Sequence, residues 1–140
     1  MSQIMIFKIL FLITLSHLLL QTSARKCFLT NEYTVHVVTF LPEDSPPLEF
    51  HCASGDDDLG NHKLTKYGTE VKWSFCDNIT HTTLFFCTLH WGKKKKSLDV
   101  FKSSWRNKCS SGNCVWAAQE DGIYFANKPP VYNKAFDWEN

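Results

Sequence analysis

The chain has no excess of either charge, no second long apolar run, no internal repeat and no low-complexity linker. Lys and Arg number 15 against 14 Asp and Glu, a formal +1, and Lys8 is the only charged residue within 1–24. A balanced chain of this kind lacks the basic face by which proteins hold nucleic acid. No CxxC pair is present, which argues against the common zinc modules. There is no GxSxG, no HExxH and no paired-acid motif, so the familiar hydrolase signatures are missing. Against these absences stand 44% hydrophobic and 14% aromatic residues, among them 11 Phe and 5 Trp. That is too apolar for a disordered chain and enough for a real core. At 140 residues the length allows one domain.

Residues 4–20 (IMIFKILFLITLSHLLL) form the one long apolar run, broken by Lys8, Thr14, Ser16 and His17. It is shorter than the roughly 20 predominantly apolar residues a spanning helix needs. Thr22 and Ala24 are small residues at the spacing signal peptidase prefers, which places a cut after Ala24. The expected organisation is a signal peptide, 1–24, followed by one domain, 25–140, exported to the extracellular space. An uncleaved anchor is the alternative.

Export turns the six cysteines, Cys27, Cys52, Cys76, Cys87, Cys109 and Cys114, into disulfide candidates. Six cysteines allow fifteen pairings, and spacing does not choose among them.

The remainder reads as short strands. Residues 33–40 (YTVHVVTF) are rich in β-branched side chains and show no helical stripe. Residues 48–54 (LEFHCAS) resume after Pro42, Pro46 and Pro47, and a Gly-Asp-Asp-Asp-Leu-Gly loop follows. Val71, Trp73 and Phe75 alternate with Lys72, Ser74 and Cys76, the period of a half-buried strand. Residues 82–91 (TTLFFCTLHW) are apolar on both faces, as in a central strand. Gly92 with Lys93, Lys94, Lys95 and Lys96 is expected to turn the chain back into 98–105. Further strands are expected at 113–118 and 123–127, and Phe136 and Trp138 should pack back as a last one. Seven or eight short strands of this kind predict an all-β, antiparallel sandwich held by disulfides.

Asp56, Asp57 and Asp58, flanked by His51 and His62, form the densest polar cluster and could hold a hard cation. Adjacent side chains of an extended segment alternate in direction, however, and Asp residues cap turns without any ion, so no metal site is assigned. His36, His51, His62, His81 and His90 are scattered without an evident carboxylate orienter. A reactive thiol does not fit an oxidising compartment. A non-enzymatic protein without a cofactor is the expectation. The four lysines 93–96 read either as a solvated hairpin tip or as a contact with an anionic membrane or polysaccharide. Asn78-Ile79-Thr80 is an N-glycosylation sequon between two strands.

The segments Val35-His36-Val37, Leu48-Glu49-Phe50-His51-Cys52 and Asp56-Asp57-Asp58-Leu59-Gly60 open an ordered series. It continues through Val71-Lys72-Trp73-Ser74-Phe75, Thr83-Leu84-Phe85-Phe86-Cys87 and Trp91. It ends with Asp99-Val100-Phe101, Cys109, Cys114-Val115-Trp116 and Asp121-Gly122-Ile123-Tyr124-Phe125. In order and spacing this series, from about 35 to 138, resembles the plant self-incompatibility S-protein family, also called S-protein homologues. The resemblance implies a small secreted β-sandwich with disulfides among Cys52, Cys87, Cys109 and Cys114, and a non-enzymatic role. Cys27 and Cys76 are additional to that pattern and suit a third bridge tying the N-terminus to the loop at 75–78. The best-understood members are secreted ligands of a cell-surface partner, so the implied partner here is a cell-surface protein receptor, met by a monomer through loops such as 56–61, 93–96 or 107–113. A secreted defence or effector protein acting on membranes or microbes is the alternative.

Overall fold

The computed structural model describes residues 2–23 and 27–140. Helix α1 (Ser2–Ser23) carries the apolar run, and its side chains through residue 17 are exposed. No described helix is long and apolar enough to cross a membrane. The cut expected after Ala24 falls outside the described residues.

Among the described residues nine strands follow: β1 (Glu32–Thr39), β2 (Leu48–Ser54), β3 (Asp58–Leu64), β4 (Glu70–Cys76), β5 (Leu84–Trp91), β6 (Lys94–Lys102), β7 (Asn113–Gln119), β8 (Gly122–Ala126) and β9 (Asn133–Phe136). They form a five-stranded sheet ordered β4-β1-β7-β8-β9 and a four-stranded sheet ordered β3-β2-β5-β6. The all-β sandwich is as expected, with three differences of detail. The ninth strand is β3, where the sequence predicts a loop at its start: Asp58 already pairs with Ala53 of β2, and after an irregularity at Leu59 and Gly60 the pairing resumes at Asn61. Hairpin pairing holds β3 there despite its poor β-formers, because pairing and packing outweigh intrinsic strand preference. β1 and β7 run parallel, since the whole four-stranded sheet intervenes between them in sequence. Finally, β6 begins at Lys94, so the β5–β6 turn is only Gly92 and Lys93.

The core lies between the sheets. Trp116, Phe101, Leu48, Leu89 and Ile123 are fully buried there, each worth about 1.5–3 kcal/mol of transfer free energy. Trp116 on β7 donates its indole N–H to the Val100 carbonyl on β6 at 3.0 Å, which ties one sheet to the other. Tyr33 and Phe75 reach Phe101 at 4.7 and 4.8 Å between ring centres, and Phe75 reaches Phe85 at 4.5 Å. A second, smaller cluster covers the outer face of the five-stranded sheet. There Val38, Val115, Ala117 and Ala126 lie beneath Phe40, Tyr124 and Tyr132.

Three disulfides join Cys27 to Cys76, Cys52 to Cys87 and Cys109 to Cys114. The second bridges directly paired residues of β2 and β5. The third closes the loop that enters β7, and the first fastens the chain preceding β1 to the end of β4.

Strand registers sort the loops into two ends. Ser54 pairs with Phe85, Glu32 with Cys76 and Thr34 with Asn113, which gathers loops 55–57, 77–83 and 103–112 at one end. Leu48 pairs with Trp91 and Val38 with Glu70, so the Gly92-Lys93 turn and loops 40–47 and 65–69 occupy the other. Of the candidate contact loops, the acidic turn and the loop at 107–113 therefore share one end, and the Gly92-Lys93 turn lies at the other.

Candidate functional site

The acidic turn follows from local hydrogen bonding. The Ser54 hydroxyl accepts the Asp57 amide at 3.0 Å, and the Ser54 amide donates to the Asp57 carbonyl at 2.7 Å. Asp58 leaves the turn for β3, where its carboxylate accepts the Gly60 amide at 2.9 Å and meets His51 Nε2. The Gly60 amide first, and then His51, hold the Asp58 carboxyl below its ordinary range. The side chains of Asp56 and Asp57 have no partner among the described residues, and Asp58 turns away to His51, so the three do not converge. No cluster of three or more His, Cys, Asp or Glu able to hold a metal occurs among the described residues.

Beside this turn opens a cleft of about 470 Å3 lined by Ser54, Asp56, Asp57, Asn78, Leu84 and Phe86, with Phe75 and Cys76 among its further walls. β5 is the central strand that its two apolar faces predict, lying between β2 and β6, but it alternates in burial and leaves Leu84 40% and Phe86 43% exposed. Ile79, next to Asn78, is 72% exposed. An apolar wall facing two uncompensated carboxylates suits a basic segment with apolar side chains.

The far wall of the cleft is fixed by the loop at 77–83. Asn78 accepts the Thr82 amide at 2.7 Å and the Thr80 hydroxyl at 3.2 Å, while its amide nitrogen donates to the Thr82 hydroxyl at 3.0 Å. Behind it, Asp77 is buried and accepts from the Ser103 hydroxyl, with His81 Nδ1 at 2.8 Å on its other oxygen. Burial would raise the Asp77 carboxyl, but hydrogen bonds from Ser103, His81 and Thr83 outweigh it and hold the group below its ordinary range. Asp77 stands between the hydroxyl and the imidazole. The pair therefore has no nucleophile-to-base hydrogen bond, and the trio stiffens the loop.

The four lysines are not one tip. Lys93 alone sits in the turn, Lys94 and Lys95 are exposed on β6, and Lys96 is taken up by Glu139 at 2.8 Å, its Nζ 5.0 Å from the centre of the Phe136 ring. Nothing in the sequence motif announces that the C-terminal tail would reach Lys96. The exposed apolar rim at Leu84 and Phe86 was likewise missed, because its signal is strand alternation and Phe85, Phe86 and Leu89 read as continuous hydrophobicity. Of the histidines, His51, His62 and His90 line a shallow groove on the outer face of the four-stranded sheet. His36 lies across the sandwich, between Glu70 and Asn113.

Comparison with known proteins agrees with this architecture. Residues 34–138 match the family model described as plant self-incompatibility protein S1. S-protein homolog 24 of Arabidopsis thaliana is 37% identical over 71% of this chain and 65% of its own length. S-protein homolog 2 of the same plant is 32% identical over 84% of this chain and 74% of its own length. S-protein homolog 6 is 40% identical over 64% of this chain and 65% of its own, so the chain spans about two thirds of these relatives. A solved SPH (self-incompatibility protein homologue) structure superposes with a TM-score of 0.64. It covers 79% of this chain and 97% of its own at 19% identity, and is described as from a widespread family of small, highly stable, secreted plant proteins. Sequence series, sandwich topology and relatives agree: the chain belongs to the plant self-incompatibility protein S1 family.

Proposed function

We propose that the protein is a secreted, non-enzymatic recognition ligand, released after Ala24 and gripped by a cell-surface protein at the end bearing the acidic turn. The observation that carries this reading is the cleft in which exposed Leu84 and Phe86 face the unpaired carboxylates of Asp56 and Asp57. A rigid sandwich presenting loops is a common way to build a binding protein, and exposed apolar residues rimmed by charge mark contact sites. The receptor segment that fits carries Lys or Arg beside an apolar side chain.

The test uses the oxidised 25–140 chain, fluorescently labelled, on intact plant cells. Saturable, protease-sensitive binding that falls at least tenfold in Asp56→Asn/Asp57→Asn and in Phe86→Ser, with melting temperatures within a few degrees of the parent, supports the assignment. Equal binding by these variants overturns it.

An N-glycan on Asn78 is a further proposal for the same rim. Such a glycan would stand over the cleft, so trimming it from the secreted protein with an endoglycosidase should tighten cell binding and give a smaller species, with the Asn78 wall left in place. A contact with anionic lipid or polysaccharide would fall to Lys93, Lys94 and Lys95, because Lys96 is engaged by Glu139. Replacing those three by Ser should leave receptor binding unchanged and remove any salt-sensitive retention on anionic vesicles.

A further inference from the structure

The outer face of the five-stranded sheet holds a second constellation that the receptor reading does not use. His36 on β1 has both ring nitrogens occupied: Nδ1 lies 3.0 Å from Glu70 Oε2, and Nε2 lies 2.8 Å from Asn113 Oδ1. Glu70 reaches it diagonally from β4 and Asn113 diagonally from β7, so the imidazole is fixed between two neighbouring strands. Its side chain is only 15% exposed. Beside this clamp stand the rings of Phe40 and Tyr132, edge to face at 5.6 Å, with Tyr67 against Phe40 at 5.4 Å. The clamp, Phe40 and Tyr132 line one groove of about 420 Å3. Burial, and behind it the Glu70 carboxylate, hold the Tyr132 phenol above its ordinary range, in keeping with a shared, partly dry site.

The polar inventory is specific. Once His36 is satisfied, one carboxylate oxygen of Glu70, the outer atom of the Asn113 amide and the Tyr132 hydroxyl have no partner among the described residues. Together they offer an acceptor, an amide and a hydroxyl next to an aromatic wall. A cationic ligand would meet a carboxylate already facing His36, and an anionic ligand would meet that same carboxylate as a like charge. A ring with one C–H face and several hydroxyls satisfies both halves of the groove, because it lies on the aromatic surface while neighbouring hydroxyls exchange hydrogen bonds with the acid and the amide.

We propose that the groove formed by His36, Glu70, Asn113, Phe40 and Tyr132 is a carbohydrate site that takes an uncharged hexopyranose unit. Glu70 and Asn113 pair with adjacent ring hydroxyls, Tyr132 covers the C–H face with the perpendicular Phe40 ring closing its side, and His36 acts as a positioning residue that holds the acid and the amide at fixed separation. This site is independent of the acidic cleft, which opens at the loop end of the sandwich.

The experiment is NMR on the 15N-labelled, oxidised 25–140 chain, titrated to 10 mM with cellohexaose and, separately, with a mannose-rich N-glycan. The two arms distinguish a free wall-type glucan from a glycoprotein glycan. Support is saturation transfer from the protein to ring C–H protons of either probe, with amide shifts confined to residues near 36–40, 70, 113 and 132. Glu70→Gln and Asn113→Ala should each weaken that binding at least tenfold. Tyr132→Ala should abolish it, and if that variant unfolds, Tyr132→Leu, which keeps an apolar cover without an aromatic face, serves in its place. His36→Gln should weaken binding while leaving the spectrum otherwise folded. Asp56→Asn/Asp57→Asn, which tests the receptor reading, should bind both sugars normally. No saturation transfer from either probe, shifts that map elsewhere, or binding unchanged in Glu70→Gln and Asn113→Ala would overturn the proposal.

Discussion

Asp77 is the side chain whose environment departs most from its neighbours in the loop at 77–83. It is 5% exposed, yet hydrogen bonding keeps it ionised more easily than a free carboxyl. A folded-state pKa below the unfolded value of about 3.9 contributes stability at neutral pH, and that contribution is lost as pH falls below about 4. Asp77→Asn should therefore lower the melting temperature by several degrees at pH 7, equivalent to about 1–3 kcal/mol, and the gap to the parent should close by pH 2. Thermal melts across pH 2–7 measure this, and a gap independent of pH would rule out the charge as its source. His81 adds its bond to Asp77 from a left-handed backbone (φ 54°), a conformation for which Asn is the best non-glycine substitute.

Lys108 shows a different residue-scale device. Its ammonium lies 4.0 Å from the Trp105 ring centre, 4.7 Å from Phe125 and 5.0 Å from Trp116, and burial, then Lys102, push its pKa down. The lysine thereby seats the loop at 103–112 on the core. Lys108→Met keeps the stem and removes the charge, so a loss of about 0.5–2 kcal/mol in urea unfolding is expected if the ring contacts outweigh the burial and Lys102 repulsion that lower the pKa, and a gain shows the reverse. Lys108→Ala should lose more.

At the scale of the element, β6 is decisive. As an edge strand with a row of lysines it would offer free backbone groups to another chain. The tail covers the start of this edge, at Lys95. Glu139 and Lys95 exchange two backbone hydrogen bonds at 2.8 and 2.9 Å, and Trp138 rests on Trp91 while donating to the Gln119 carbonyl at 2.7 Å. Removing residues 138–140 should lower the melting temperature and produce concentration-dependent association in analytical ultracentrifugation. A truncated chain that stays monomeric would show that charge alone protects the edge. The β7–β8 turn is equally constrained, because a Cβ on Gly122 would lie 2.3 Å from the Phe136 carbonyl oxygen, so β9 can pair there only against glycine.

For the whole molecule, the disulfides divide the stabilisation unequally. Cys27–Cys76 and Cys52–Cys87 close separations of 49 and 35 residues, whereas Cys109–Cys114 closes 5. Loop-closure entropy gives about 4 kcal/mol for each of the first two and about 2 kcal/mol for the third. Cys52→Ser/Cys87→Ser should accordingly cost more in guanidinium unfolding than Cys109→Ser/Cys114→Ser. The reverse order would mean that the loop entering β7 depends on its bridge for native packing.

Much of the fold was legible along the chain because its signals are local. β2 matches the expected segment residue for residue, and the Val71, Trp73, Phe75 alternation places β4 and its inward face. β3 was illegible because Asp58, Gly60 and Asn61 are poor strand formers and become a strand only by pairing with β2. The cleft was legible only in half. Asp56 and Asp57 stand out in the sequence, while the exposure of Leu84 and Phe86 depends on which face of β5 meets the opposite sheet.

Composition and periodicity alone determined an all-strand, cysteine-rich domain, since side-chain alternation and turn chemistry act over a few residues. Only the tertiary structure decided which ends the acidic turn and the lysines occupy, that Glu139 neutralises Lys96, and that His36, Glu70 and Asn113 meet. Those outcomes rest on strand order and register between segments as much as 77 residues apart, and no local preference encodes such pairings.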